Sequence, residues 1–113
     1  MLLIVGGEAS GKRTFAKTLG YDDRDIADAV LDERPVICHL EQIVFADPER
    51  SDELLPILAE KDVVICCEVG SGVIPVDHAE RIGREAAGRL CVLLAQRADR
   101  VVRMVSGIPV VIK

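Results

Sequence analysis

The sequence is short of several features that would each point to a class of function. It has no basic excess. Its 14 Lys and Arg stand against 19 Asp and Glu, a net charge of -5, whereas wholesale binding to nucleic acid or an anionic membrane needs a dense basic face that releases counterions. It has no long apolar run at its start: the opening Met-Leu-Leu-Ile-Val reaches Gly6 without a basic leader, too short for a signal sequence or a membrane span. The expectation is a cytoplasmic protein with no membrane span and no nucleic-acid partner. The four cysteines, Cys38, Cys66, Cys67 and Cys91, show no CxxC spacing, and three of them lie in apolar runs. They read as reduced, buried thiols that behave as small hydrophobes. There is no repeat, linker or low-complexity segment, and no NKxD-type base-reading motif to separate GTP from ATP.

What is present is a folded-globule composition, half hydrophobic over 113 residues, with room for one domain spanning residues 1–113. Four apolar runs rich in β-branched residues, at 2–5, 36–40, 63–67 and 101–105, read as buried strands. Stretches of helical character separate them, and this alternation predicts an α/β fold with a mostly parallel sheet flanked by helices. The clearest helix starts behind Asp77, an N-cap with Glu80 in capping-box order, and runs to about Arg97. A second over 47–61 carries Pro56 in its interior, which predicts a kink or a split. Ser106-Gly107-Ile108-Pro109 reads as a turn into a short antiparallel C-terminal strand over 110–112.

Gly6-Gly7-Glu8-Ala9-Ser10-Gly11-Lys12 directly follows the first strand and matches the first seven positions of the P-loop pattern GxxxxGK[ST]. Such a loop curls backbone N–H groups around phosphate oxygens and sends a lysine to the β- and γ-phosphates. The pattern predicts a P-loop nucleotide-binding domain with GTP or ATP held by residues 6–14; a plain glycine turn is the other reading. Arg13 occupies the position of the Mg2+-ligating hydroxyl, and a guanidinium cannot ligate a cation. It reads either as a solvated helix-surface charge or as an added phosphate contact. Thr14 offers a hydroxyl one residue later, rotated by about 100° on a helix. Glu41 closes the second apolar run, where a strand-terminal carboxylate holds the Mg2+ hydration shell in many such enzymes and is incidental in many other sheets. Thr14 and Glu41 are therefore the Mg2+ candidates.

The second half carries Cys67-Glu68-Val69-Gly70-Ser71-Gly72-Val73-Ile74-Pro75, then Arg81, Arg84-Glu85 and Gly88-Arg89, and finally Val105-Ser106-Gly107-Ile108-Pro109-Val110. This series resembles the adenosylcobinamide kinase / adenosylcobinamide-phosphate guanylyltransferase family of cobalamin biosynthesis. There a strand ends in Asn-Glu-Val-Gly-x-Gly-Ile-Val-Pro, a helix carries Arg-x-x-Arg-Asp-x-x-Gly-Arg-x-Asn-Gln, and the chain closes on a Ser-Gly-Ile turn. The resemblance covers residues 1–20 and 62–113, with a weaker match around Glu41. It implies a transferase acting on a nucleotide and adenosylcobinamide, assembled as a homo-oligomer, a trimer in that family. In it Lys12 would stabilise the migrating phosphoryl and Glu41 or Glu68 would organise the metal or the hydroxyl. Gly70, Gly72, Pro75, Arg81, Arg84 and Arg89 would face substrate. The chain departs from the pattern at Arg13 for Ser, Cys67 for Asn, Gly83 for an aromatic, Glu85 for Asp, and Cys91-Val92 for Asn-Gln. It also lacks the longer segment that carries the guanylylated histidine: residues 21–35 are acidic and contain no histidine. His39 reads as lying within a strand and His78 in the first turn of a helix. The resemblance therefore implies a kinase without an evident acceptor for guanylyl transfer.

Each of these residues has a structural reading beside the functional one. Glu68 to Gly72 is a strand-to-helix connection whatever it binds, although the carboxyl edge of an open α/β sheet is where ligands sit. Arg81, Arg84 and Gly88 share one helical face that can present cations to phosphate; Arg81, Glu85 and Arg89 also form i, i+4 surface pairs. A metal site from Cys38, His39, Cys66 and Cys67 lacks zinc spacing, and neighbours in a strand face opposite sides. Three function classes remain open: a shortened cobinamide-kinase-like phosphotransferase, a catalytically impaired GTP/ATP-binding regulatory module, and a module whose sites form between subunits.

Overall fold

The computed structural model of the chain describes residues 1–68 and 77–113. Among these residues the strands are β1 (Leu2–Gly6), β2 (Ile26–Asp28), β3 (Val36–Cys38), β4 (Val63–Cys67), β5 (Arg100–Val105) and β6 (Ile108–Val111), and the α-helices are α1 (Lys12–Thr18), α2 (Leu40–Ala46), α3 (Leu55–Ala59) and α4 (His78–Arg97). They make one six-stranded sheet in the order β2-β3-β4-β1-β5-β6. Every pairing is parallel except the last, β5 with β6. The compact α/β architecture expected from the alternation of apolar runs is thus the architecture observed.

The apolar runs are continuous because the central strands are covered on both faces. Side chains nevertheless divide with period two. Leu3, Ile37, Val64, Cys66 and Val101 join Leu40, Val44, Leu58, Leu90 and Leu94 in one core. Ile4, Val36, Cys38, Val63, Ile65, Val102 and Met104 join Ala16 in the other. The first face is roofed by α2, α3 and α4, the second by the two-turn α1. The long helix α4 buries Gly83, Ala86, Ala87, Leu90 and Leu94, the i, i+3, i+4, i+7 stripe of a helix laid on a sheet, and its 20 residues span about 30 Å. Its cap is as expected at Asp77, whose carboxylate accepts from the Ala79 N–H at 3.0 Å. Glu80 instead pairs with Arg84 at 3.0 Å.

The end of β3, the presence of β2 and the start of β6 differ from what the sequence suggests. β3 stops at Cys38 rather than running to residue 40. His39 turns into the left-handed region at φ 55°, and Leu40 opens α2, a helix that the apolar run concealed. Glu41 is therefore not strand-terminal; it lies in the first turn of α2. Ile26–Asp28 is a strand too short to register as an apolar run, stabilised by pairing with β3 in the register Ile26 to Val36 and Asp28 to Cys38. The 47–61 segment is split as Pro56 requires: a 3-10 stretch over Pro48–Leu54 passes into α3, with Pro56 in its first turn. The last strand begins two residues early, at Ile108, because Ser106 and Gly107 alone make the turn, both at positive φ (50° and 78°), the backbone that two-residue hairpins favour.

Candidate functional site

In a parallel sheet all strand carboxyl ends lie along one edge, and here that edge collects the loop of residues 6–11 after β1, His39 after β3, and Glu68 after β4. The loop is held tightly. The Ser10 N–H donates to the Gly7 carbonyl at 3.3 Å, and the Ser10 carbonyl accepts from the Gly107 N–H at 3.0 Å. The hairpin between β5 and β6 therefore props the glycine loop, a role for Ser106-Gly107 that the local sequence does not reveal. A Cβ at Gly6 would lie 2.6 Å from Ser10 Oγ and 2.8 Å from the Met104 carbonyl oxygen, so the loop closes onto β5 only without a side chain there. Gly11, at φ 94°, caps α1 in a conformation that side chains rarely adopt. Ser10 Oγ is buried with no hydrogen-bond partner among the described residues.

Lys12 is the first residue of α1 and is buried, with 9% of its surface exposed. Its Nζ donates to the Gly7 carbonyl at 2.5 Å and lies 3.9 Å from Cys67 Sγ. It lines two adjacent cavities. The first, about 310 Å³, is formed by residues 9–14 with Cys38, His39 and Ile65. The second, about 290 Å³, is formed by Glu8, Ala9, Lys12, His39, Glu41, Gln42, Phe45 and Cys67. Both volumes lie near the lower end of the range for small-molecule sites. Ala9, Lys12 and His39 form the wall between them.

Glu41 is buried, and its Oε1 accepts the Cys67 N–H at 2.8 Å. That contact ties the first turn of α2 to the end of β4. Thr14 lines the first cavity and Glu41 the second, so neither of these two cavities is lined by both Mg2+ candidates. Glu68 is turned towards β5, where its carboxylate accepts from Arg103 at 2.7 and 3.2 Å. Its own N–H extends the sheet by donating to the Gly6 carbonyl at 2.8 Å.

Arg13 lines the first cavity and is paired with acidic side chains. Its guanidinium donates to Asp23 at 3.1 Å, lies 3.5 Å from Asp28, and points NH1 at Cys38 Sγ at 3.6 Å. Lys17 joins Asp23 at 2.8 Å. Across the same corner His39 Nδ1 is 2.5 Å from Asp28 Oδ1, and the His39 hydrogen bond holds the Asp28 carboxyl below the usual carboxylate range. Burial pushes the Cys38 thiol up to about 11, and the hydrogen bond with Cys91 Sγ at 3.4 Å, followed by burial, raises the Cys66 thiol well above its usual value. Cys38 and Cys66 are buried as expected, while Cys67 and Cys91 are half-buried. Asp28 was the residue sequence reasoning passed over; its only local signal is a carboxylate following the short apolar pair Ile26-Ala27.

Arg81, Arg84 and Arg89 lie on α4 and line neither cavity. Gly70, Gly72 and Pro75 lie outside the described residues.

The family model for cobinamide kinase / cobinamide phosphate guanyltransferase matches residues 37–112, from β3 to the end of β6. The chain belongs to that family. Among curated proteins none matches it. The family match starts beyond the glycine loop, Lys12 and Arg13. Within the matched span lie Glu41, Glu68, the three α4 arginines and the Ser106-Gly107 turn. Both activities in the family's description consume a nucleoside triphosphate and place the protein's relatives among transferases of cobalamin biosynthesis. No helix among the described residues is long and apolar enough to cross a membrane.

Proposed function

We propose that the chain is a nucleoside-triphosphate-dependent phosphotransferase that moves a γ-phosphoryl group to a hydroxyl of adenosylcobinamide, the kinase half of the family's two activities. The observation that carries this reading is Lys12: a buried ammonium at the sheet's carboxyl edge, lining two cavities at once, one for each partner in a transfer. In this reading residues 6–14 hold GTP or ATP as a P-loop does, with the loop N–H groups on the phosphates. Lys12 exchanges its bond to the Gly7 carbonyl for the migrating phosphoryl. Such a transfer depends on positioning and charge neutralisation more than on a covalent nucleophile. Glu41, in the second cavity, orients the acceptor hydroxyl, and Thr14, in the first, faces any Mg2+ carried in on the nucleotide. Glu68, fixed by Arg103, holds the end of β4 in place. Gly70, Gly72, Pro75, Arg81, Arg84 and Arg89 belong to the substrate side by resemblance alone. The exposed apolar strip along the edge strand, with Ile108 63% and Val111 62% exposed, supports assembly as a homo-oligomer.

One observation favours a second reading, a nucleotide-binding module without turnover. The charge of Arg13 is already compensated by Asp23 and Asp28, so the position that ordinarily carries a metal-ligating hydroxyl contributes neither a ligand nor an uncompensated cation. Calorimetric titration with GTP and with ATP, each with and without Mg2+, followed by adenosylcobinamide and an assay of phosphoryl transfer, separates the two. Nucleotide binding with transfer supports the kinase. Binding without transfer supports the module, and failure of folded protein to bind either nucleotide overturns both.

A further inference from the structure

The corner where β2 and β3 end brings together three side chains of metal-ligand chemistry that are distant or misaligned in sequence. Asp28 and Cys38 are register partners at the carboxyl ends of adjacent parallel strands, so their side chains leave the sheet on the same side. His39 follows Cys38, and in an extended strand its ring would point to the opposite face. The left-handed backbone at His39, φ 55° and ψ 43°, reverses that direction. It places Nδ1 3.8 Å from Cys38 Sγ and 2.5 Å from Asp28 Oδ1. All three donor atoms lie within 4.8 Å of one another. A non-glycine residue held at positive φ is a local cost that tertiary contacts must sustain, and such residues concentrate at sites with a function.

We propose that Asp28, Cys38 and His39 form a three-ligand site for a borderline divalent transition metal of the Zn2+ class, with its fourth position open to the cavity lined by Lys12, Arg13 and Thr14. The donor set selects the metal: a thiolate, an imidazole and a carboxylate suit Zn2+ or Co2+, whereas Mg2+ prefers oxygen alone. Ligand atoms around a tetrahedral ion of this class lie about 3.3–3.6 Å apart, from metal–ligand lengths of about 2.0–2.3 Å. The Cys38 to His39 separation, 3.8 Å, must close by about 0.2 Å, and the His39 to Asp28 pair must open by about 0.8 Å. Three protein ligands with an open fourth position is the arrangement of sites that bind an exchangeable water or ligand rather than of closed structural sites. Binding displaces the Cys38 thiol proton to solvent and moves the His39 ring proton from Nδ1, where it faces Asp28, to Nε2, giving a thiolate–metal bond, an imidazole–metal bond and one released proton. Arg13 competes: its guanidinium sits 3.5 Å from Asp28 and 3.6 Å from Cys38 Sγ. Its side chain is 38% exposed, so it can stay on Asp23 while its other end swings out. The site does not depend on the nucleotide reading and can be tested without nucleotide.

The test is titration of chelator-treated protein with Co2+, read by absorption and proton release, with Zn2+ as competitor. The expected result is one equivalent bound, a thiolate-to-cobalt charge-transfer band, tetrahedral ligand-field bands, and loss of all three on adding Zn2+. Cys38→Ser abolishes the charge-transfer band, while Cys66→Ser retains it. His39→Asn, which keeps a residue tolerant of the left-handed backbone, weakens binding by more than the roughly 10–100-fold typical of losing an outer partner. Arg13→Ser tightens it. Since His39 is exposed, His39→Asn keeps the test decisive even if Cys38→Ser does not fold. Absence of the charge-transfer band in folded wild type overturns the proposal, as does its persistence in Cys38→Ser or unchanged affinity in His39→Asn.

Discussion

Replacing Glu41 with Gln and with Ala separates what its carboxylate does for the fold from what it does for chemistry. Glu41 is buried, 7% exposed, and its Oε1 accepts the Cys67 N–H at 2.8 Å. A hydrogen bond to an ionised acceptor contributes about 1.5–3 kcal/mol, and a neutral one about 1 kcal/mol. Glu41→Gln keeps a carbonyl oxygen for Cys67 but gives up the charge, so the expected loss is about 1 kcal/mol. Glu41→Ala strands a half-buried N–H at the end of β4 and empties part of the space beneath α2, with an expected loss of about 2–3 kcal/mol. Urea unfolding at neutral pH measures both, through midpoints at constant slope. If orienting an acceptor hydroxyl is also a task of Glu41, Glu41→Gln loses phosphoryl transfer far out of proportion to its small change in stability, with nucleotide affinity unchanged. A Glu41→Ala protein within about 0.5 kcal/mol of wild type would refute the anchoring argument. Equal transfer rates in Glu41→Gln and wild type would remove Glu41 from the chemistry.

Other outcomes follow from the same geometry. Lys12→Ala should weaken GTP and ATP binding at least tenfold, about 1.4 kcal/mol, by calorimetry; unchanged affinity would remove Lys12 from the nucleotide site. Burial raises the Cys38 thiol from 9.0 to about 11, so the folded state holds that proton more tightly than the unfolded chain does. Its contribution, about 2–3 kcal/mol, should be fully present below pH 9, decline as pH rises and be gone above about pH 11; a Cys38→Ala protein with the same alkaline loss of urea stability would contradict this. Leu90→Ala, at a position with no exposed surface beneath α4, should cost about 2–5 kcal/mol by the same unfolding assay. Ile108→Lys combined with Val110→Lys, on one face of the edge strand, should shift a homo-oligomer to monomer in sedimentation velocity; wild type that already sediments as a monomer would refute assembly through β6.

What was legible in the sequence was what depends on long-range periodicity and on strong local chemistry. Five of the six described strands, the parallel order implied by intervening helices, the Asp77 cap and the break at Pro56 all came from such signals. The elements that escaped are those whose stability is tertiary. Three-residue β2 has too few apolar side chains to stand out, and forms because β3 offers it a complete ladder. Leu40 continues the apolar run of β3 by composition, yet belongs to α2, because one left-handed residue between them changes the chain's direction. That single backbone value moves Glu41 from a strand end to a helix start.

The same limit governs the candidate site. The parallel sheet guarantees that residues following its strands share an edge, so the gathering of the glycine loop, Glu41 and Glu68 there could be anticipated. Which of them meet could not. Glu68 turns to Arg103 because β5 presents a guanidinium beside it, and Arg13 turns to Asp28 because β2 ends level with Cys38. Both pairings depend on strand register, and a shift of one residue would send each side chain to the other face. The acidic interval at 21–35, which by composition alone reads as a missing segment, supplies Asp23 and Asp28, the groups that compensate Arg13. The arginine at position 13 is therefore matched by the acidic groups around it. Arg13→Ser removes the cation that Asp23 and Asp28 share, and leaves Lys17 on Asp23 and His39 on Asp28.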